Sequence, residues 1–163
     1  MILVTGDTGS GKSAVAEALF DGIKTEKYYL ATMERSDELS EKRIEKHRRM
    51  REGKGFTTIE LTSDITRALP LIGEGSALLL ECATNLLSNL MFSGDERIGA
   101  QEAADKALEQ ILALGEKTGL YVVVTNETGS WQGDYSGETR EFIRAQEILN
   151  EALKNTAEKV ITT

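Results

Sequence analysis

The 163-residue sequence holds one cysteine, one proline, one histidine and one tryptophan. A single cysteine excludes an internal disulfide and any thiolate metal cluster. No apolar run approaches the roughly 18 residues that a membrane span needs. Cations are in the minority: 19 Lys+Arg against 27 Asp+Glu give a formal charge of −8. That balance argues against a nucleic-acid partner held by general basicity. The opening Met1-Ile2-Leu3-Val4-Thr5 lacks a basic n-region, so no signal peptide is expected. A reducing, cytoplasmic setting fits these absences. What is present is ordinary: 40% apolar residues argue against disorder. The length suits a single domain over residues 1–163. There is no internal repeat, low-complexity tract or linker.

Residues 2–5 read as a short buried strand followed at once by a Gly-rich turn, and 14–20 as a helix of good formers. A second strand is expected over 28–32. Residues 37–52 read as a highly charged helix with Asp37 as its N-cap. Its apolar positions, Leu39, Ile44 and Met50, are sparse, so it buries little and either projects from the core or covers a site. A strand over 57–61 and a short helix over 63–69 precede Pro70. An apolar strand over 77–80 ends in Glu81, and a helix covers 83–91. Residues 99–114 carry Ala104, Leu108, Ile111 and Leu114 at helical spacing, with Gly115 placed as the C-terminal cap. Residues 121–125 form a β-branched strand, and 130–137 a polar loop with an exposed Trp131. Phe142, Ala145, Leu149 and Ala152 stripe a last long helix before a strand at 160–161. Strands alternating with helices imply an α/β fold, a mostly parallel sheet with helices on both faces.

Gly6-Asp7-Thr8-Gly9-Ser10-Gly11-Lys12-Ser13 matches G-x-x-x-x-G-K-[ST]. Glycines let the backbone wrap with its N–H groups turned towards phosphate oxygens. Lys12 would reach the β- and γ-phosphates and the Ser13 hydroxyl would ligate Mg²⁺. The motif follows a strand and opens a helix, which is the context it requires, so a nucleoside triphosphate is the expected partner. Such a site also takes a carboxylate near the metal. Glu81, closing the strand of Leu78-Leu79-Leu80, has that placement. A strand-end carboxylate is also common at a bare surface.

Residues 42–54 hold Lys42, Arg43, Lys46, Arg48, Arg49, Arg51 and Lys54, 7 of the 19 basic residues. His47 sits in their midst. On a helix Arg43, His47, Arg51 and Lys54 share one face, which suits a polyanion such as a triphosphate. Neighbouring cations disfavour imidazolium, and a neutral imidazole is a nucleophile toward phosphorus. Composition alone equally describes a solvated helix, with Glu41, Glu45 and Glu52 interleaved. Cys82, after a buried strand, reads as a small core residue.

Taken together, these residues resemble the bifunctional adenosylcobinamide kinase / adenosylcobinamide-phosphate guanylyltransferase family. Ile2-Leu3-Val4-Thr5-Gly6 through Gly11-Lys12-Ser13 resembles its first motif, and Tyr29-Leu30-Ala31-Thr32 its second strand. Arg43-Ile44, His47-Arg48 and Arg51 resemble its R-I-x-x-H-[RK]-x-x-R segment, the specific part of the match. Phe56-Thr57-Thr58-Ile59-Glu60 resembles W-x-T-x-E. Leu79-Leu80-Glu81-Cys82 with Thr84 and Asn89-Leu90 resembles L-L-[DE]-C-x-T…N-L, and Thr125-Asn126-Glu127 with Gly129 resembles its N-E-V-G turn.

The resemblance implies a P-loop α/β enzyme with ATP and GTP as substrates and Mg²⁺ as cofactor. One activity phosphorylates the corrinoid adenosylcobinamide. The other passes GMP from GTP through a covalent guanylyl-histidine to adenosylcobinamide phosphate. By matching motif, His47 and Lys12 would be catalytic. Gly6, Asp7, Thr8, Gly9, Ser10, Gly11, Lys12 and Ser13 would hold phosphates. Ala31, Thr32, Met33, Arg48, Arg49, Met50, Arg51, Glu60 and Glu81 would line the nucleotide site, and Ser13 and Glu81 the metal. A homotrimer is implied in the same way. The sequence departs from the family late: Ser130-Trp131-Gln132-Gly133-Asp134 replaces G-I-V-P, and of the helix F-R-D-x-x-G-x-x-N-Q only Phe142 and Asn150 remain. These departures leave room for a diverged P-loop kinase or NTPase with another small-molecule acceptor. A non-catalytic nucleotide module is a third reading, against which Lys12, Ser13 and Glu81 count.

Overall fold

In the computed structural model, which describes residues 1–129, 131 and 133–163, Leu78, Leu79 and Leu80 are all wholly buried. Successive strand side chains point to opposite faces, so this run needs cover on both sides. The sheet supplies that arrangement. Strands β1 (Ile2–Gly6), β2 (Lys27–Ala31), β3 (Phe56–Glu60), β4 (Ala77–Glu81), β5 (Leu120–Asn126) and β6 (Lys159–Thr162) lie in the order β3-β2-β4-β5-β1-β6. All five pairings are parallel. The helices are α1 (Lys12–Ala18), α2 (Glu38–Arg51), α3 (Ala83–Phe92), α4 (Ala100–Gly115) and α5 (Gly137–Thr156), with a 3₁₀ turn at Ile65–Ala68.

Leu3, Leu30, Leu78, Leu80 and Val123 face a core filled by α3, α4 and α5. Val4, Tyr29, Leu79, Val122 and Val124 face the other layer, closed by Ala16 and Phe20 from the α1 segment. The parallel α/β architecture read from the sequence is therefore the one observed. Among the described residues, no helix is long and apolar enough to cross a membrane.

Parallel register brings the strand ends to one edge. Gly6 pairs with Asn126, and Ala31 pairs with both Glu60 and Glu81. In open α/β sheets ligands gather at this edge.

The departures from expectation have local causes. Residues 63–69 form only the short 3₁₀ turn, with Ile65 N–H donating to the Gln110 side chain at 2.9 Å. Gly115 closes α4 rather than capping it, and Glu116 is the C-cap. Its lack of a side chain serves packing, because a Cβ there would lie 3.2 Å from Tyr121. In α5 it is Leu153, not Ala152, that joins Ala145 and Leu149 in the core. Trp131 is half-buried, not exposed: it stacks on Phe142 with centroids 5.9 Å apart and planes 17° from parallel. The expected loop over 130–137 falls partly on Ser130 and Gln132, which lie outside the described residues. Gly137 already belongs to α5.

Candidate active site

The loop after β1 turns through Gly9 at φ 81° and Gly11 at φ 90°, values that a side chain disfavours. Gly6 is needed for space, since a Cβ there would approach the Thr163 carbonyl to 2.6 Å. The loop delivers Lys12 and Ser13 as the first residues of α1. Lys12 is buried and its ammonium donates to the Asp7 carbonyl. Burial pushes the Lys12 pKa down, against the pull of neighbouring Cys82, Glu81 and Asp7.

Glu81 closes β4 opposite this loop, and its Oε1 accepts from the Ser13 hydroxyl. Its Oε2 is buried and has no hydrogen-bond partner among the described residues. Burial raises the Glu81 pKa, while the Ser13 hydroxyl and His47 act in the opposite direction.

Helix α2 covers the site. Asp37 caps it as expected, in a reciprocal box: Ser40 N–H donates to Oδ1 of Asp37 at 2.7 Å, and Asp37 N–H donates to Oγ of Ser40 at 3.0 Å. Its outer face is solvated, with Glu38–Lys42 and Glu45–Arg49 pairs at 2.6 and 3.0 Å. Its inner face carries Arg43, His47 and Arg51 into a cavity of about 410 Å³. The two descriptions open at the sequence level thus apply to opposite faces of one helix.

Arg51 is the one buried residue of α2. Its guanidinium lies 3.4 Å over the Tyr29 ring, a cation–π contact. Its Nε and Nη1 are buried without a partner among the described residues. Just past the helix, Lys54 reaches buried Glu17 of α1 at 2.5 Å. His47 is held with Nδ1 4.0 Å from Oε1 of Glu81.

The cavity brings together Thr8, Gly9 and Gly11 from the loop, Lys12 and Ser13 from the start of α1, Ala31 at the end of β2 and Met33 just beyond it, His47, Met50 and Arg51 from α2, and Glu60 and Glu81 from strand ends. The other expected residues sit elsewhere. Gly6 and Asp7 support the loop through their carbonyls, which accept from Glu127 N–H and from Lys12. Ser10 shares a hydrogen bond with Thr163 at 2.6 Å. Thr32 is wholly buried and exchanges two 2.8 Å bonds with the Cys82 backbone, fixing the chain behind Glu81. Arg48 does not line the cavity but pairs with Glu60 of its wall at 3.0 Å, and Arg49 turns outward to Glu45.

The cavity wall also holds residues that were not expected in the site, among them Tyr29, Lys46, Asn85 and Asn126, while Arg43 joins His47 and Arg51 as the shared helix face implied. Asn126 ends β5, so the strand-end rule that found Glu81 also reaches it. Arg43 stands one helical turn before His47. Tyr29, inside a strand, looks like any core aromatic.

The late helix also has a place at this edge. Oδ1 of Asn150 accepts from Thr125 and Gln146, each at 2.8 Å, and its Nδ2 donates to the Asn126 carbonyl at 2.8 Å. Glu127 accepts from Thr5 at 2.7 Å and pairs with Lys154 at 2.8 Å. Burial pushes the Glu127 carboxyl up, but Lys154 and Thr5 outweigh it and hold the pKa below its ordinary value.

A family model described as cobinamide kinase / cobinamide phosphate guanyltransferase matches residues 2–163. The chain is 32% identical to the bifunctional adenosylcobalamin biosynthesis protein CobU of Escherichia coli (strain K12), over 98% of this chain and 93% of that one. It is 31% identical to the bifunctional adenosylcobalamin biosynthesis protein CobP of Pseudomonas aeruginosa, over 99% and 91% of the two chains. It is also 31% identical to the CobU of Salmonella typhimurium (strain LT2), over 98% and 93%.

Proposed function

The chain belongs to the cobinamide kinase / cobinamide phosphate guanyltransferase family, and we propose that one cavity serves both reactions, with His47 carrying GMP between them. The protein is a transferase of cobalamin biosynthesis with kinase and guanylyltransferase activities.

The observation that carries the reading is the meeting of His47, Lys12, Ser13 and Glu81 in a single cavity. In the kinase step the cobinamide hydroxyl attacks the γ-phosphorus of a nucleoside triphosphate, its proton passes to solvent as the O–P bond forms, and the nucleoside diphosphate leaves with the bonding pair. Lys12 and the loop N–H groups hold the phosphates and spread their charge. In the second reaction a ring nitrogen of His47 attacks the α-phosphorus of GTP. The N–P bond forms, the bond to the bridging oxygen breaks, and pyrophosphate leaves. An oxygen of the cobinamide phosphate then attacks the same phosphorus and the P–N bond breaks, returning the electron pair to the imidazole. Nδ1 of His47 lies 4.0 Å from Oε1 of Glu81 and has no hydrogen-bond partner among the described residues; a closer approach to Glu81 in the loaded site would fix the tautomer and leave Nε2 as the attacking atom. Arg51, with two unpartnered buried donors, is placed to bind developing phosphate charge.

Ser13 and Glu81 fit Mg²⁺. They are hard oxygen donors already in contact, and the unpartnered Oε2 of Glu81 is what a hard cation would satisfy. When bound, Mg²⁺ neutralises phosphate charge and polarises the phosphorus under attack. The reading includes a single domain over 1–163, a cytoplasmic setting and a homotrimer, the last checked by light scattering.

The test is intact mass after incubation with Mg²⁺ and GTP, beside a His47→Ala variant. A GMP-sized, acid-labile adduct absent from the variant supports the reading. GTP binding with no adduct would leave a P-loop kinase and remove the guanylyl-histidine.

A further inference from the structure

A second concavity, of about 540 Å³, runs between the first turn of α2 and the outer face of α3. It joins the catalytic cavity: Met33, Arg43 and Asn85 line both. Its walls carry Leu39, 66% exposed, and Phe92, 42% exposed, two of the most exposed large apolar side chains of the chain. Its outer rim is acidic, with Glu34 and Asp37, and serine hydroxyls from Ser36 and Ser88 lie between. Charge therefore changes sign along the groove, from carboxylates at the rim to Arg43 at the inner end. Of the three shared residues, Arg43 is the one cation.

We infer that this groove is the acceptor subsite, taking an edge of the corrinoid, and that Arg43 binds the phosphate of the phosphorylated acceptor. The inference rests on the reading of His47 as the GMP carrier.

The chemistry fits at both ends. A corrinoid edge combines apolar ring carbon with carboxamide arms, and the arms donate hydrogen bonds to Glu34, Asp37 and the hydroxyls. The same carboxylates repel a phosphate, so the acceptor enters with its phosphate toward Arg43. Four residues of helix advance about 6 Å, which puts an Arg43-bound phosphate one turn from the guanylylated ring. That is within reach of an oxygen that must attack the phosphorus on His47. The unphosphorylated acceptor of the kinase step has no use for Arg43, so the two acceptors should respond differently to its loss.

Equilibrium dialysis of the full chain with cobinamide and with cobinamide phosphate tests this. Arg43→Ala should raise Kd for cobinamide phosphate about tenfold or more, and for cobinamide by less than about threefold. Arg43→Lys should fall between. Ser88→Trp fills the groove, and Leu39→Glu, at an exposed position that cannot unfold the core, charges its apolar wall. Both should raise Kd for the two corrinoids by a similar factor, larger than any change for GTP.

Equal effects of Arg43→Ala on both corrinoids, or a larger effect on GTP, would overturn the role of Arg43. Unchanged corrinoid binding in Leu39→Glu and Ser88→Trp would overturn the groove. If Leu39→Glu instead changed the oligomer mass, the groove would be a contact with a second copy. A wild type that binds corrinoid with this pattern but forms no GMP adduct would keep the groove and sink only the His47 reading.

Discussion

Lys54→Met is a sharp test of how α2 is fixed over the site. The Glu17 side chain is fully buried, its Oε2 is 2.5 Å from the Lys54 ammonium, and its Oε1 has no partner among the described residues. Removing the cation strands a carboxylate with neither oxygen hydrogen-bonded. Breaking a buried pair by deleting one partner costs about 3–5 kcal/mol. Lys54 is 43% exposed, so water reaches its end of the pair and screening discounts the cost to about 2–3 kcal/mol. For a chain of this length that lowers Tm by about 5–10 °C. Calorimetry or urea titration of Lys54→Met reads the loss. The double variant Lys54→Met/Glu17→Leu removes the stranded charge as well and should recover most of it. A single variant within about 0.5 kcal/mol of wild type, or a double variant as weak as the single, would refute the argument. Because the pair ties the end of α2 to the helix after the phosphate loop, Lys54→Met should also slow GMP loading of His47.

Three further outcomes follow from the same edge of the sheet. Burial raises the Glu81 pKa, so the folded state holds its proton to higher pH and stability from this group falls as pH rises from the unfolded to the folded value. Glu81→Gln should flatten that part of the pH–stability curve and stabilise the free protein near neutrality by about 1 kcal/mol, while both transfer activities are lost. Glu127 has the opposite sign: its lowered pKa contributes stability above the unfolded value, lost as pH falls through the folded one. Glu127→Gln should therefore be destabilising at neutral pH and indistinguishable from wild type in acid, as thermal melts across pH would show. Asn150→Ala removes three hydrogen bonds, although Gln146 and Thr125 keep the bond between them, and should cost about 1–3 kcal/mol, read by urea denaturation.

Local rules made much of this molecule legible. The strand–turn–helix placement of Gly9, Gly11, Lys12 and Ser13 was legible from the glycine spacing, and the cap at Asp37 from what a helix start needs. The strand-end position of Glu81 followed from the α/β alternation. What could not be read was set by distant contacts. Helical phase put Arg43, His47 and Arg51 on one face, but only the position of Tyr29 and Glu17 shows that this face turns inward while Arg49 turns out. Trp131 sits among polar neighbours in sequence, and its half-burial comes from Phe142, on a helix that begins later. Gly115 looked like a cap because helix ends favour glycine, yet Tyr121 from the next strand decides it. Asn150 is one of two residues, with Phe142, that keep the pattern of the late helix, and its bonds to Thr125, Gln146 and Asn126 give it a structural role at the site's edge.

In the proposed reaction His47 carries GMP from one substrate to the next. A single-turnover chase tests it most directly: load the protein with GTP and Mg²⁺, strip free nucleotide, add cobinamide phosphate and follow intact mass and product together. The adduct should be stable alone, decay on addition of the acceptor, and yield one guanylylated product for each adduct lost. Product formed while the adduct persists, or formed by protein that never carried one, would contradict it.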